Sequence, residues 1–85
     1  MRRRGKVDSN HAEIRDALRA CGWRVLSLAD LGGGAPDLLL FRAEQRLRLV
    51  EVKRPGGKLT PAQKQFLAEG WPVTILESVE DALAL

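Results

Sequence analysis

The sequence predicts one small α/β domain, a mixed β-sheet flanked by helices, with the element order α-β-β-β-α-β-α. Short runs rich in β-forming residues alternate with segments whose apolar residues recur at helical spacing. Glycine and proline separate these segments, as they do between regular elements. A chain of 85 residues can build a single modest core, so we expect one domain over residues 8–85.

The first elements are predicted to be a helix and a strand. Asn10 can cap the helix, and Glu13 three residues later completes a capping-box pattern. An apolar stripe at helical spacing follows, formed by Ile14, Ala17, Leu18 and Cys21. Gly22 is expected to end the helix, and the β-formers in residues 23–28 indicate a strand.

A glycine-rich loop and a hairpin are predicted next. The loop covers residues 30–36, and its three glycines are expected to act as a connector or as a flexible loop that lets the backbone approach a bound partner closely. They do not form a P-loop, because the Lys-Ser/Thr of that motif is absent and a strand follows. Residues 37–41 and 46–53 indicate two strands joined by a polar turn at 42–45.

The last third of the chain contains the signals of two further helices and a strand. Pro55-Gly56-Gly57 breaks the preceding strand, and Thr60-Pro61 is typical of a helix start. This helix should run to about Glu69, before Gly70. Val73–Leu76 indicates a strand, after which Ser78 and Asp81 can cap a short terminal helix.

Composition excludes several classes of protein. Apolar residues make up 45% and charged residues 29%, typical of an ordinary globular chain, and no apolar stretch approaches the ~20 residues of a membrane span. The Arg-rich start lacks an apolar segment after it, so we expect no signal peptide and a cytoplasmic location. Cys21 is expected in the core and His11 on the surface, within reach of DNA, and two such residues cannot make a zinc site.

The net charge of +3 favours a polyanionic partner. Residues 1–7 form a basic arm, which either contacts phosphates or is a solvated tail. The cationic residues expected to contact DNA are Arg2, Arg3, Arg4, Lys6, Arg54, Lys58 and Lys64.

Charged residues on two adjacent strands indicate a metal-dependent nuclease site. Asp37 opens an apolar run, and Glu51 and Lys53 project to one face of the next strand because they are two residues apart. Two carboxylates can hold Mg²⁺ and leave positions for water and a phosphate oxygen. A lysine beside that water can orient it and offset charge in the transition state. An ordinary solvated face is the alternative, but charges among buried residues are costly unless they are paired or bind metal.

Three blocks in this order resemble the VRR-NUC family, the virus-type replication-repair nucleases of the PD-(D/E)XK superfamily. They are Gly-Gly-Gly-Ala-Pro-Asp-Leu at 32–38, Val-Glu-Val-Lys at 50–53 and Leu-Thr-Pro-Ala-Gln at 59–63. The resemblance covers residues 8–76 and implies a PD-(D/E)XK nuclease-like core.

The resemblance also implies a residue set and a substrate. Asp37 and Glu51 would bind Mg²⁺, for which Mn²⁺ should substitute, with the carbonyl of Val52 as a further ligand. The family's first-helix glutamate matches Glu13, and its active-site glutamine matches Gln63. Gln63 also shares an inward helical face with apolar residues three and four positions later. The stand-alone members that this chain resembles are small viral or bacterial proteins, expected to act as homodimers on branched DNA such as four-way junctions. The resemblance therefore implies the cytoplasm of a bacterial or phage-infected cell.

Other interpretations remain open at this point. The same fold could serve as the nuclease module of a restriction or mobile-element system that cuts linear duplex. A non-catalytic DNA-binding subunit is a second alternative, against which the intact Asp37, Glu51 and Lys53 argue. Trp23 and Trp71 are expected in the core or an interface, with base stacking as their alternative role.

Overall fold

A computed structural model describes residues 10–85, and the basic arm at 1–7 lies outside these described residues. The elements follow the predicted order α-β-β-β-α-β-α, with boundaries within two residues of most expected ones. They are α1 (His11–Ala20), β1 (Arg24–Ser27), β2 (Leu38–Phe41), β3 (Arg48–Val52), α2 (Pro61–Ala68), β4 (Val73–Leu76) and α3 (Val79–Leu83).

The four strands form one mixed sheet in the order β1-β2-β3-β4. Strands β1 and β2 pair antiparallel, and the predicted hairpin β2–β3 is also antiparallel, with Leu38 opposite Val50. Strand β4 pairs parallel with β3. Parallel neighbours need a crossover, and α2 supplies it.

The hydrophobic core lies on the sheet face that α1 and α3 cover. Ile14 and Leu18 of α1 and Ala82 of α3 are buried there. Alternate strand residues meet them because side chains in a strand alternate between faces. The buried strand residues are Leu38, Leu40, Val50, Val52 and Leu76. Trp23, only 3% exposed, joins this core, and Cys21 packs against it, so both core predictions are confirmed.

The start of α1 differs from the prediction. Asn10 occupies the N-cap position, but its side chain makes no cap hydrogen bond, so the predicted capping box with Glu13 is wrong. The Asn10 amide is instead used in tertiary contacts with two strand ends. His11 was expected on the surface, yet it is half-buried and its Nε2 is enclosed. It lies three and seven residues before Ile14 and Leu18, so it shares their inward helical face.

The opposite face of the sheet is only partly covered. Helix α2 lies over β3 and β4, and a narrow cleft separates the helix from these two strands. The half formed by β1 and β2 is open, so Leu26 is 58% exposed and Phe41 47% exposed. Among the described residues, no helix has the length and apolar character needed to cross a bilayer.

Candidate active site

Asp37 and Glu51 lie opposite each other at one end of the β2–β3 hairpin. Leu38 pairs with Val50, so extending the antiparallel register by one residue brings Asp37 against Glu51. Directly opposed residues have Cβ atoms about 4.5–5.5 Å apart. The Asp37 Oδ2 also accepts a hydrogen bond of 2.8 Å from the Val52 backbone N–H. The register therefore brings together the two predicted metal ligands.

Glu51 is a buried carboxylate with two polar neighbours. Its side chain belongs to the face beneath α2, and the residue is only 4% exposed. The Gln63 Nε2 donates a hydrogen bond of 2.8 Å to Glu51 Oε2, and Lys53 Nζ lies 3.6 Å from the same oxygen. Both contacts offset the cost of burying a charge. With Asp37 opposite Glu51, the cluster has four side chains: Asp37, Glu51, Lys53 and Gln63.

The first turn of α2 holds the amide oxygen of the Gln63 side chain. Thr60 caps the helix by accepting from the Gln63 backbone N–H, and Gln63 Oε1 accepts from the Thr60 N–H at 2.9 Å. This reciprocal arrangement is a capping box. Because the amide oxygen is held by the helix start, the Nε2 group is directed at Glu51.

Gly34 places the glycine-rich loop directly against this same helix turn. A Cβ built on Gly34 would lie 2.3 Å from the Ala62 backbone oxygen and 2.9 Å from the Gln63 backbone nitrogen. Its φ of 81° is also a left-handed conformation that glycine adopts most readily. The triple glycine was expected to be a connector or a close approach to DNA, and its packing role against α2 was not predicted. A Gly just ahead of the Pro-Asp pair was the available signal.

Asn10 ties the start of α1 to the strand end that carries Lys53. Its Nδ2 donates to the Lys53 carbonyl oxygen at 3.2 Å and to the Glu77 carbonyl oxygen at 2.9 Å. These carbonyls follow β3 and β4, so one amide group holds the ends of the two parallel strands together. The capping pattern hid this role, because the sequence offers no separate signal for a tertiary contact.

Other predicted residues lie outside the cluster. Glu13 is exposed on α1, and no hydrogen bond or ion pair connects it with another described residue. Its helix turn nevertheless begins at Asn10, beside Lys53. Arg54, Lys58 and Lys64 are exposed, as phosphate-contacting residues must be. The arm residues Arg2, Arg3, Arg4 and Lys6 lie outside the described part of the chain.

The donor set suits a hard cation such as Mg²⁺. Within residues 10–85, no group of three or more His, Cys, Asp or Glu side chains could hold a metal ion. The Asp37–Glu51 pair supplies oxygen ligands, and Mg²⁺ commonly uses one or two carboxylates while keeping several waters. Two opposed carboxylates with an adjacent lysine can bind a cation and face a phosphate.

Comparison with protein families identifies the class of domain. The family model for the VRR-NUC domain matches residues 6–70, more than three quarters of the chain. This protein therefore belongs to the VRR-NUC family, as its three sequence blocks predicted. Membership implies a nuclease-type function with DNA as the substrate. Searches among curated proteins and among solved structures gave no match.

Proposed function

We propose that this protein is a Mg²⁺-dependent DNA endonuclease that acts on branched DNA such as four-way junctions. The observation that carries the proposal is the buried Glu51 carboxylate, held by Gln63 and Lys53 beside Asp37. A carboxylate buried on an interior strand, with a lysine on the same face, is costly to a fold. A role in binding a cation and the substrate explains why a charged group occupies this buried position.

Each residue of the cluster has a proposed role. Asp37, Glu51 and the Val52 carbonyl would hold the metal, and Glu13 would assist from the first turn of α1. When bound, Mg²⁺ supplies Lewis-acid stabilisation of the phosphate, and Mn²⁺ should substitute for it. Lys53 orients the attacking water and offsets negative charge in the transition state. Gln63 keeps Glu51 and Lys53 in place.

Hydrolysis of a phosphodiester exchanges one phosphorus–oxygen bond for another. The water oxygen forms a bond to phosphorus, and the phosphorus–oxygen bond to the leaving strand breaks. The attacking water gives up one proton to solvent, and the departing oxygen takes the electron pair and one proton from solvent. The flanking cations Arg54, Lys58 and Lys64, with the arm residues 1–7, would bind neighbouring phosphates.

Symmetric cleavage of a four-way junction requires two cuts on opposed strands, and one Asp37–Glu51–Lys53 site cuts one strand at a time. We therefore propose a homodimer with two-fold symmetry, which presents two sites. The alternative of a module that cuts linear duplex predicts equal cleavage of plain and branched DNA. A non-catalytic subunit predicts binding without cleavage.

The test is cleavage of labelled linear duplex, flap and four-way-junction DNA in Mg²⁺ and in EDTA. We expect paired nicks on the junction in Mg²⁺ and none in EDTA. Lys53→Ala should lower the cleavage rate by about 10²–10³-fold, the usual effect of losing one charge-stabilising group. Arg46→Ala removes an exposed cation from the turn before β3 and is the matched control. Lys53→Ala cutting as fast as wild type would refute the site assignment.

A further inference from the structure

Phe66 and Trp71 form a rigid aromatic pair beside the candidate active site. Their ring centroids are 5.1 Å apart and their planes differ by 20°, so the rings are stacked. The Trp71 Nε1 donates a hydrogen bond of 3.1 Å to Glu69 Oε1, which fixes the orientation of the indole. Trp71 is 49% exposed, as expected for a ring with one face covered by Phe66 and the other open to solvent.

The pair is continuous with the cleft that contains the carboxylate. Phe66, Gln63 and Glu51 all line this cleft, which is about 10 Å³ in volume. That is room for about one water and far too little for a nucleobase. A base near the site must therefore lie outside the cleft, and the open face of Trp71 is the exposed aromatic surface adjoining it.

The Trp71 ring lies a short distance from Gln63, the helix residue that contacts the buried carboxylate. Gln63 and Phe66 are three residues apart, about 4.5 Å along the helix axis, and the Trp71 ring lies 5.1 Å further from the Phe66 ring. The Trp71 ring is thus within roughly 10 Å of Gln63 along this path, and a base stacked on its open face would lie about 3.5–4.0 Å beyond the ring. This separation is comparable to one or two nucleotides of an unpaired strand.

We propose that the open face of Trp71 is a subsite for one unpaired nucleobase next to the phosphate that is cut. A base inside an intact duplex is stacked on both faces, so neither face can contact Trp71. A base at a branch or in a flap has a free face that can stack on Trp71. The exposed cations Lys58 and Lys64 lie before and on α2, where they can neutralise the phosphates of that strand. This inference rests on the proposed nuclease function and adds the feature of DNA that is recognised.

Tryptophan fluorescence gives a direct test, because the chain has two tryptophans in opposite environments. Trp23 is buried with the Arg42 guanidinium 4.0 Å from its ring centroid, so DNA cannot stack on it. In Ca²⁺, without turnover, flap DNA should quench the emission of the wild-type protein. Trp71→Phe retains only Trp23 and should show no quenching. Quenching of equal size in Trp71→Phe would overturn the proposal.

Affinity measurements complete the test. Stacking of one base contributes about 1–3 kcal/mol, which corresponds to about 5- to 150-fold in affinity. We expect Trp71→Ala to weaken flap binding within this range, Trp71→Phe to weaken it less, and neither to change duplex binding. Circular dichroism would verify that both variants fold. If Trp71→Ala binds flap DNA as tightly as wild type, or if it only converts a dimer to a monomer, the subsite is overturned.

Different results would remove the nuclease activity and the Trp71 subsite. Cleavage of branched DNA without quenching would leave the nuclease standing and remove the Trp71 subsite. Quenching and base-dependent affinity without cleavage on any substrate would support the subsite and remove the nuclease proposal. Absence of DNA binding would remove both.

Discussion

At the level of single residues, Gln63 uses both ends of its amide group. Its Oε1 completes the capping box of α2, and its Nε2 donates to Glu51. A capping box accepts either glutamate or glutamine at this position. Only glutamine can also donate to a carboxylate, so the contact with Glu51 explains the choice of residue.

We therefore expect Gln63→Glu and Gln63→Ala to differ. Gln63→Glu keeps the acceptor for the Thr60 N–H but places a second carboxylate against Glu51. Without metal, its free energy of unfolding should therefore be lower than that of wild type by about 2 kcal/mol or more. Gln63→Ala should lose the cap contact, about 1 kcal/mol, and the Glu51 contact. Urea denaturation with and without Mg²⁺ measures both. Mg²⁺ should restore more stability to Gln63→Glu, and wild-type stability and cleavage in this variant would contradict the role of Gln63.

Asp37 offers a second test at the same scale. A cation that binds only the folded carboxylate pair stabilises the protein by mass action. With Mg²⁺ at about 100 times its Kd, the gain is about 2.7 kcal/mol, which should appear as a higher melting temperature. In Asp37→Asn the gain should shrink, because one ligand charge is lost while the Oδ acceptor for Val52 remains. An equal gain in both proteins would place the metal elsewhere.

At the level of elements, the glycine loop and helix α2 act as one unit. Gly34 packs on the backbone of Ala62 and Gln63, so the loop that ends at Asp37 also sets the height of α2 above the sheet. Asp37 enters the site from this loop, and Gln63 enters it from the helix. A shift of either element would separate them.

Gly34→Ala should therefore disturb the site more than Gly33→Ala does. Gly33 has a similar left-handed φ of 66° but open space around its Cα, so Gly33→Ala is the matched control for backbone strain. Such strain costs about 1–3 kcal/mol at either position. Gly34→Ala should lose further stability and cleavage because the helix must move. Equal stability and equal cleavage rates in the two variants would show that the Gly34 contact is unimportant.

At the level of the whole molecule, the sheet has one covered face and one that is half open. The exposed side chains of Leu26 and Phe41 are neighbours on the open face. Leu26 of β1 pairs with Leu39 of β2, and Phe41 lies two residues after Leu39 on the same face. A contiguous apolar surface of this kind commonly marks an interaction site. This surface is a candidate contact for the proposed dimer. The apolar tail at residues 82–85 is a second candidate, although Ala82 within it belongs to the core of its own domain.

We expect sedimentation to give a mass of about twice 9.4 kDa at micromolar concentration. The paired substitution Leu26→Lys and Phe41→Lys should produce a monomer, because it places two charges on the open face. Leu31→Lys, in the loop after β1, changes a leucine that is at least as exposed and lies outside both candidate contacts, so it serves as the control. A wild-type monomer, free and on junction DNA, would remove the dimer.

The sequence by itself determined the elements, their order and three of the four clustered side chains. Helical and strand periodicities are local, so residues 11–20 and 73–76 were identifiable without knowledge of their neighbours in space. The Asp37, Glu51 and Lys53 pattern was also readable, because two residues of one strand share a face. Gln63 was assigned by family resemblance and by its inward helical position.

Only the tertiary structure decided which polar groups meet. The Asn10 amide satisfies two strand-end carbonyls more than 40 residues away rather than its own helix, and the pattern of a capping box could not reveal that choice. The close approach of Gly34 to α2 and the half-open sheet face also depend on how elements pack. Local sequence fixes backbone preference and side-chain direction, whereas a hydrogen bond or a steric contact between distant residues exists only after the chain has closed on itself.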